Sequence, residues 1–113
     1  MVEHDQFREM ALSFREAIEE PHFEKPSFRV GKKIFATLNL VANRATIVLS
    51  EMDQDVFCLF DKEVMYPVPN KWGKMGWTHI DLAKVGEEMC VDALTQAYCE
   101  VAPNRLSSLI KRL

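Results

Sequence analysis

The chain has little glycine: four residues in 113. Glycine-rich phosphate loops are missing with it. There is no GxxxxGK[ST] and no GxGxxG, so P-loop and dinucleotide-fold chemistry is not indicated. Gly31, Gly73, Gly76 and Gly86 read as turn glycines. Cysteine is sparse and scattered. Cys58, Cys90 and Cys99 form no CxxC pair, which fits neither a zinc ribbon nor a disulfide framework. Reduced, buried thiols are the ordinary account. Only three histidines occur, and none sits in an HExxH-type set. No apolar run is long enough to span a bilayer. The first residues are acidic and polar, unlike a secretory leader. These absences lead us to expect a cytoplasmic protein that needs no membrane and no cofactor or metal.

Hydrophobic residues make up 48% and charged residues 27%, as in a folded globular domain. The length fits one domain over residues 1–113, large enough to bury a core without staples. Net charge is −3, which argues against a strongly basic nucleic-acid binder. The charge is unevenly spread. Residues 1–24 carry seven acids and two bases. Residues 25–50 carry five bases (Lys25, Arg29, Lys32, Lys33 and Arg44) and no acid. Such a cluster is commonly a solvated hairpin face that protects a sheet edge. It is also the kind of footprint that meets phosphate.

The periodicity predicts these elements. Phe7, Met10, Ala11 and Phe14 form a helical stripe that Ile18 extends until Pro21. Glu20 to Pro26 reads as a connector. Ser27–Val30 and Ile34–Leu40 read as a hairpin. A three-residue turn, Gly31-Lys32-Lys33, would gather Phe28, Val30, Ile34, Ala36, Leu38 and Leu40 on one face. Arg29, Phe35, Thr37 and Asn39 would then lie on the other. A third strand covers Ala45–Ser50. Asp53 is placed to cap a helix over Gln54–Phe60. Tyr66–Val68 reads as a short strand that Pro67 and Pro69 demote to a sheet edge. Trp77–Leu82 alternates, with Trp77, His79 and Asp81 on one face and Thr78, Ile80 and Leu82 on the other. Glu87–Val101 is the longest helix. Asn104 is placed to cap a last one, with Leu106, Leu109, Ile110 and Leu113 on one face and Lys111 and Arg112 in its final turn. Short hairpin links argue for an antiparallel sheet with helices packed on it, an α+β fold in two layers. The expected sheet has five strands, in the order α-β(3)-α-β(2)-α-α.

Three blocks resemble the MmcQ/YjbR family. They are Phe28-Arg29-Val30-Gly31-Lys32-Lys33-Ile34-Phe35-Ala36-Thr37-Leu38; Tyr66-Pro67-Val68-Pro69-Asn70-Lys71-Trp72-Gly73 followed by Gly76-Trp77-Thr78; and Ala97-Tyr98-Cys99-Glu100-Val101-Ala102-Pro103. The resemblance implies a fold similar in topology to type III secretion chaperones. It also implies DNA binding, through the family's likeness to a "double wing" domain. That implication rests on fold likeness alone.

Three functions follow for testing. The first is a non-catalytic DNA-binding surface. Arg29, Lys32, Lys33, Arg44, Lys71 and Lys74 would meet phosphates, and Trp72, Trp77 and His79 would stack on or contact bases. The second is a binding module for a protein, a small ligand or a second copy in a homodimer. Its adaptable surface would include Met65 and Met75. The third is an enzyme built on His79 and Asp81, or on His22 and Glu24. No nucleophile motif accompanies either pair, and we expect no catalytic activity.

Overall fold

A computed structural model describes residues 1–110. A helix α1 (His4–Leu12) is followed by three hairpin-linked strands, β1 (Ile18–His22), β2 (Lys25–Val30) and β3 (Lys33–Asn39), then β4 (Arg44–Val48). Next come α2 (Glu51–Phe60), β5 (Met65–Pro67), a one-turn helix α3 (Lys71–Lys74) and β6 (Trp77–Asp81). The described chain closes with α4 (Glu87–Val101) and the short α5 (Asn104–Ser107). The strands form one sheet in the order β1-β2-β3-β4-β6-β5, and every neighbouring pair is antiparallel. The fold is α+β, as expected, but the sheet has six strands rather than five.

The additional strand is the segment expected to be a connector. β1 pairs with β2 from Ile18↔Arg29 to His22↔Lys25. Pro21 is tolerated because β1 is an edge strand, with one side of its backbone unpaired. The turn between them uses Phe23 (φ 49°) and Glu24 (φ 69°). Both positions are left-handed, as a type I′ hairpin turn requires. α1 accordingly ends at Leu12 and does not reach Ile18. Arg8 of α1 donates two hydrogen bonds of 2.9 Å to the Glu19 carboxylate on β1, clamping this edge to the helix.

The β2–β3 hairpin corrects the predicted register. Its turn has two residues, Gly31 (φ 56°) and Lys32 (φ 69°), and closes on Val30↔Lys33. A bulge then follows: Arg29 faces Ile34, yet Phe28 faces Ala36. Phe35 is the extra residue. The bulge recovers the expected Phe28–Ala36 pair but exchanges the faces of its neighbours. Phe35 is fully buried, and Ile34 turns to the opposite side. A bulky aromatic gains more from burial here than the aliphatic it displaces. Leu40 also leaves the core and is 47% exposed.

The core lies on one face of the sheet, under α1 and α4. Phe7 meets Phe28 edge-on at 5.9 Å, and Phe14 stacks on Tyr98 at 4.8 Å. The Tyr98 hydroxyl donates to the Arg15 carbonyl at 2.8 Å, so the buried phenol is satisfied. Thr78, Ile80 and Leu82 face the core as predicted. The cap of α2 is Ser50 rather than Asp53. Its hydroxyl accepts from the Asp53 backbone N–H at 3.1 Å. At the C-terminal end, Asn104 is the first residue of α5, after Pro103, rather than its cap. Leu106 is buried but Leu109 is exposed. Lys111, Arg112 and Leu113 lie outside the described residues.

Candidate binding groove on the open sheet face

The opposite face of the sheet presents a row of aligned side chains. The pairings Ser27↔Thr37, Thr37↔Thr46, Thr46↔His79 and Tyr66↔His79 place residues of five strands in line. Paired residues share a face, so the alignment follows from register alone. Over this row opens a groove of about 370 Å³. Ile34, Thr37, Thr46 and His79 belong to its central strands. His22, Phe23 and Lys25 line it from the β1–β2 hairpin, and Val68, Trp72 and Trp77 from the β5–α3–β6 segment.

The aromatic side is held in place by backbone contacts. Asn70 caps α3 by accepting from the Trp72 N–H at 2.9 Å. A Cβ on Gly73 would lie 2.0 Å from the Val68 carbonyl oxygen, so only glycine lets α3 settle there. Gly76 has φ +103°, and a Cβ on it would lie 2.0 Å from the Leu49 oxygen. Gln54, buried on α2, binds this segment from beneath. Its amide nitrogen lies 2.9 Å from the Gly73 carbonyl, 3.0 Å from the Thr78 hydroxyl and 3.3 Å from the Trp77 carbonyl. Trp72 thereby stands 48% exposed, with the Lys71 ammonium 5.7 Å from its ring centre. Trp77 is half-buried on the open face, beside Val48 on β4.

His79 is the polar centre of the groove. Its Nδ1 lies 2.8 Å from the Thr46 hydroxyl, and its ring meets Tyr66 edge-on at 5.5 Å. Burial, then the positive charges of Arg44 and Lys25, push its pKa down to about 4. At neutral pH it is an uncharged imidazole under a positive field. Asp81, on the same strand face, accepts from the Ala83 N–H at 3.0 Å, while His79 is engaged with Thr46. The Cys90 thiol is buried in the core and pushed up to about 12 by desolvation. Among the described residues, no group of three His, Cys, Asp or Glu side chains is placed to hold a metal ion.

Of the site residues proposed from sequence, the groove brings together Trp72, Trp77 and His79. Arg44 acts on it electrostatically, and its Nε is buried without a hydrogen-bond partner. Lys71 and Lys74 flank Trp72 on α3 without lining the groove. Arg29 sits on the open face but is engaged by the Ser27 hydroxyl at 3.1 Å and the Glu20 carboxylate at 3.6 Å. Lys32 and Lys33 occupy the β2–β3 tip, where Gly31 approaches Pro103, and do not line the groove. Met65 is buried and Met75 is exposed. Sequence reasoning missed Phe23, Lys25, Ile34, Thr37, Thr46 and Val68. Phe23 is 87% exposed. The available signal was an aromatic between two proline-bearing strand ends, Pro21-His22 and Lys25-Pro26, which is also a hairpin pattern.

Fold and groove together define a small α+β domain built to present one concave, aromatic-walled sheet face. The model of the YjbR family matches residues 12–100 of the chain, and the chain belongs to that family. Comparison with curated proteins and with solved structures returned no match. Among the described residues, no helix is long and apolar enough to cross a membrane.

Proposed function

We propose that this YjbR-family domain is a non-catalytic DNA-binding module that takes bases of a single strand into the open-face groove. The observation that carries the reading is the convergence of Trp72, Trp77 and His79 over a floor of threonines, under the positive field of Arg44 and Lys25. Exposed rings offer π-faces to any base, worth about 1–3 kcal/mol per stacked base. Lys25, Lys71 and Lys74 are within the same region to meet phosphates. A single strand fits better than a duplex. α1 and α4 pack on the other side of the sheet, α3 is one turn long, and α2 (Glu51–Phe60) carries Glu51, Asp53 and Asp55 but no lysine or arginine, so among the described residues no helix stands ready for a major groove. The engaged state of His79 and Asp81 supports the absence of catalysis.

A second reading, a small planar ligand with no nucleic-acid role, is favoured by the net charge of −3 and by the absence of Lys32 and Lys33 from the groove. Titration of an oligothymidylate into the protein, followed by tryptophan fluorescence at low and high salt, separates the two. DNA binding gives a fluorescence change that weakens with salt and is largely lost in Trp72→Ala. No change at low salt with micromolar oligonucleotide refutes it. A salt-insensitive response to free nucleosides selects the small-ligand reading.

A further inference from the structure

α2 carries a second surface, on the side away from the groove's support. Gln54 faces inward and is buried, whereas Met52, Val56, Leu59 and Phe60 are 76, 63, 73 and 79% exposed. Their spacing of four, three and one places them on one face of the helix. This is an inverted amphipathic pattern, with apolar side chains given to solvent. Four such side chains present on the order of 500 Å², the upper end of what a monomer shows.

We infer that this face is covered by the same face of a second copy, in an antiparallel two-fold pairing of α2. Area is the first argument. The stripe paired with itself buries about 1,000 Å² in total, which reaches the size at which specific interfaces begin. Methionine and phenylalanine are also enriched in interface centres. Charge sets the direction. A parallel pairing would bring Asp53 against Asp53 and Asp55 against Asp55. An antiparallel pairing centred on Val56 sets Met52 of one copy against Phe60 of the other and Asp53 against Leu59, so each acidic first turn lies beside an apolar last turn, twice over by symmetry. This inference is independent of what the groove binds.

The test is the solution mass of the full chain by light scattering, from micromolar to near-millimolar protein. The expected mass is twice the 13.1 kDa of one chain, falling to one chain in Leu59→Glu. Because Leu59 is exposed, the variant keeps its fold, which circular dichroism checks. Met52→Glu weakens the dimer by about tenfold, and adding Phe60→Lys, opposite it in this register, restores it. A wild-type monomer throughout the range overturns the inference and leaves the face to a different partner. A dimer unaffected by Leu59→Glu also overturns it.

Discussion

Replacing Gln54 with leucine tests whether the groove's aromatic side is held from below. The carboxamide has two N–H hydrogens and three acceptors within 3.3 Å. The two shorter contacts, to the Gly73 carbonyl and the Thr78 hydroxyl, take them. Thr78 in turn donates to the Gly76 carbonyl at 3.0 Å, so the network runs from α2 through both ends of the α3–β6 turn. Leucine fills a similar volume and makes neither bond. The Gly73 carbonyl keeps the Gly76 N–H at 3.1 Å and loses one incoming bond, about 1 kcal/mol. Thr78 keeps its donated bond and loses only an incoming one, about 1 kcal/mol. The expected cost of the two lost bonds is about 1–3 kcal/mol, a substantial share of the 5–15 kcal/mol typical of a domain. Urea unfolding monitored by circular dichroism measures it. Tryptophan emission of the folded variant should also shift, because Trp72 and Trp77 flank the released turn. A loss below about 0.5 kcal/mol with unchanged emission refutes the reasoning.

Two glycine substitutions and one pH dependence extend the test. Gly76→Ala meets both a left-handed backbone and a 2.0 Å approach to Leu49, so it should cost about 3 kcal/mol or more. Gly86→Ala, with nothing within 4 Å of the added Cβ, should cost less than about 1 kcal/mol, the difference between the two as helix N-caps. Equal losses in thermal melts contradict the packing argument. His79 has a folded pKa of about 4 against an ordinary 6.5, so the unfolded chain binds the proton more readily. Its contribution is therefore complete above pH 6.5 and is lost as pH falls toward 4. The full shift corresponds to about 3 kcal/mol, which solvent at the partly exposed ring reduces to about 1–2 kcal/mol. Ring-proton chemical shifts against pH check it, and a His79 midpoint near 6.5 contradicts the burial, and with it the field of Arg44 and Lys25, assigned to the ring.

Long, strongly periodic elements were legible in the sequence. α4 spans Glu87–Val101 as predicted, and the alternation of β6 puts Thr78, Ile80 and Leu82 inward. The misses are local decisions made by tertiary packing. Pro21 and two glutamates masked β1, because an edge strand pairs on one side and escapes the usual composition. The bulge at Phe35 was hidden because hydrophobic counting treats Ile34 and Phe35 alike, while the core selects the larger ring. Trp72, Trp77 and His79 were identified from residue type alone. Their partners in the groove come from distant strands and depend on register, which no local pattern reveals.

The β1–β2 tip has a cost that its chemistry does not require. Phe23 and Glu24 both hold positive φ, where Asn-Gly would sit without strain. Phe23 also leaves a full ring in water. A chain selected for thermal endurance alone would replace the pair. Retaining it means that melting temperature and groove shape are traded at one hairpin, so a thermostabilised version carrying Asn-Gly there would be hardier and would lose one aromatic wall.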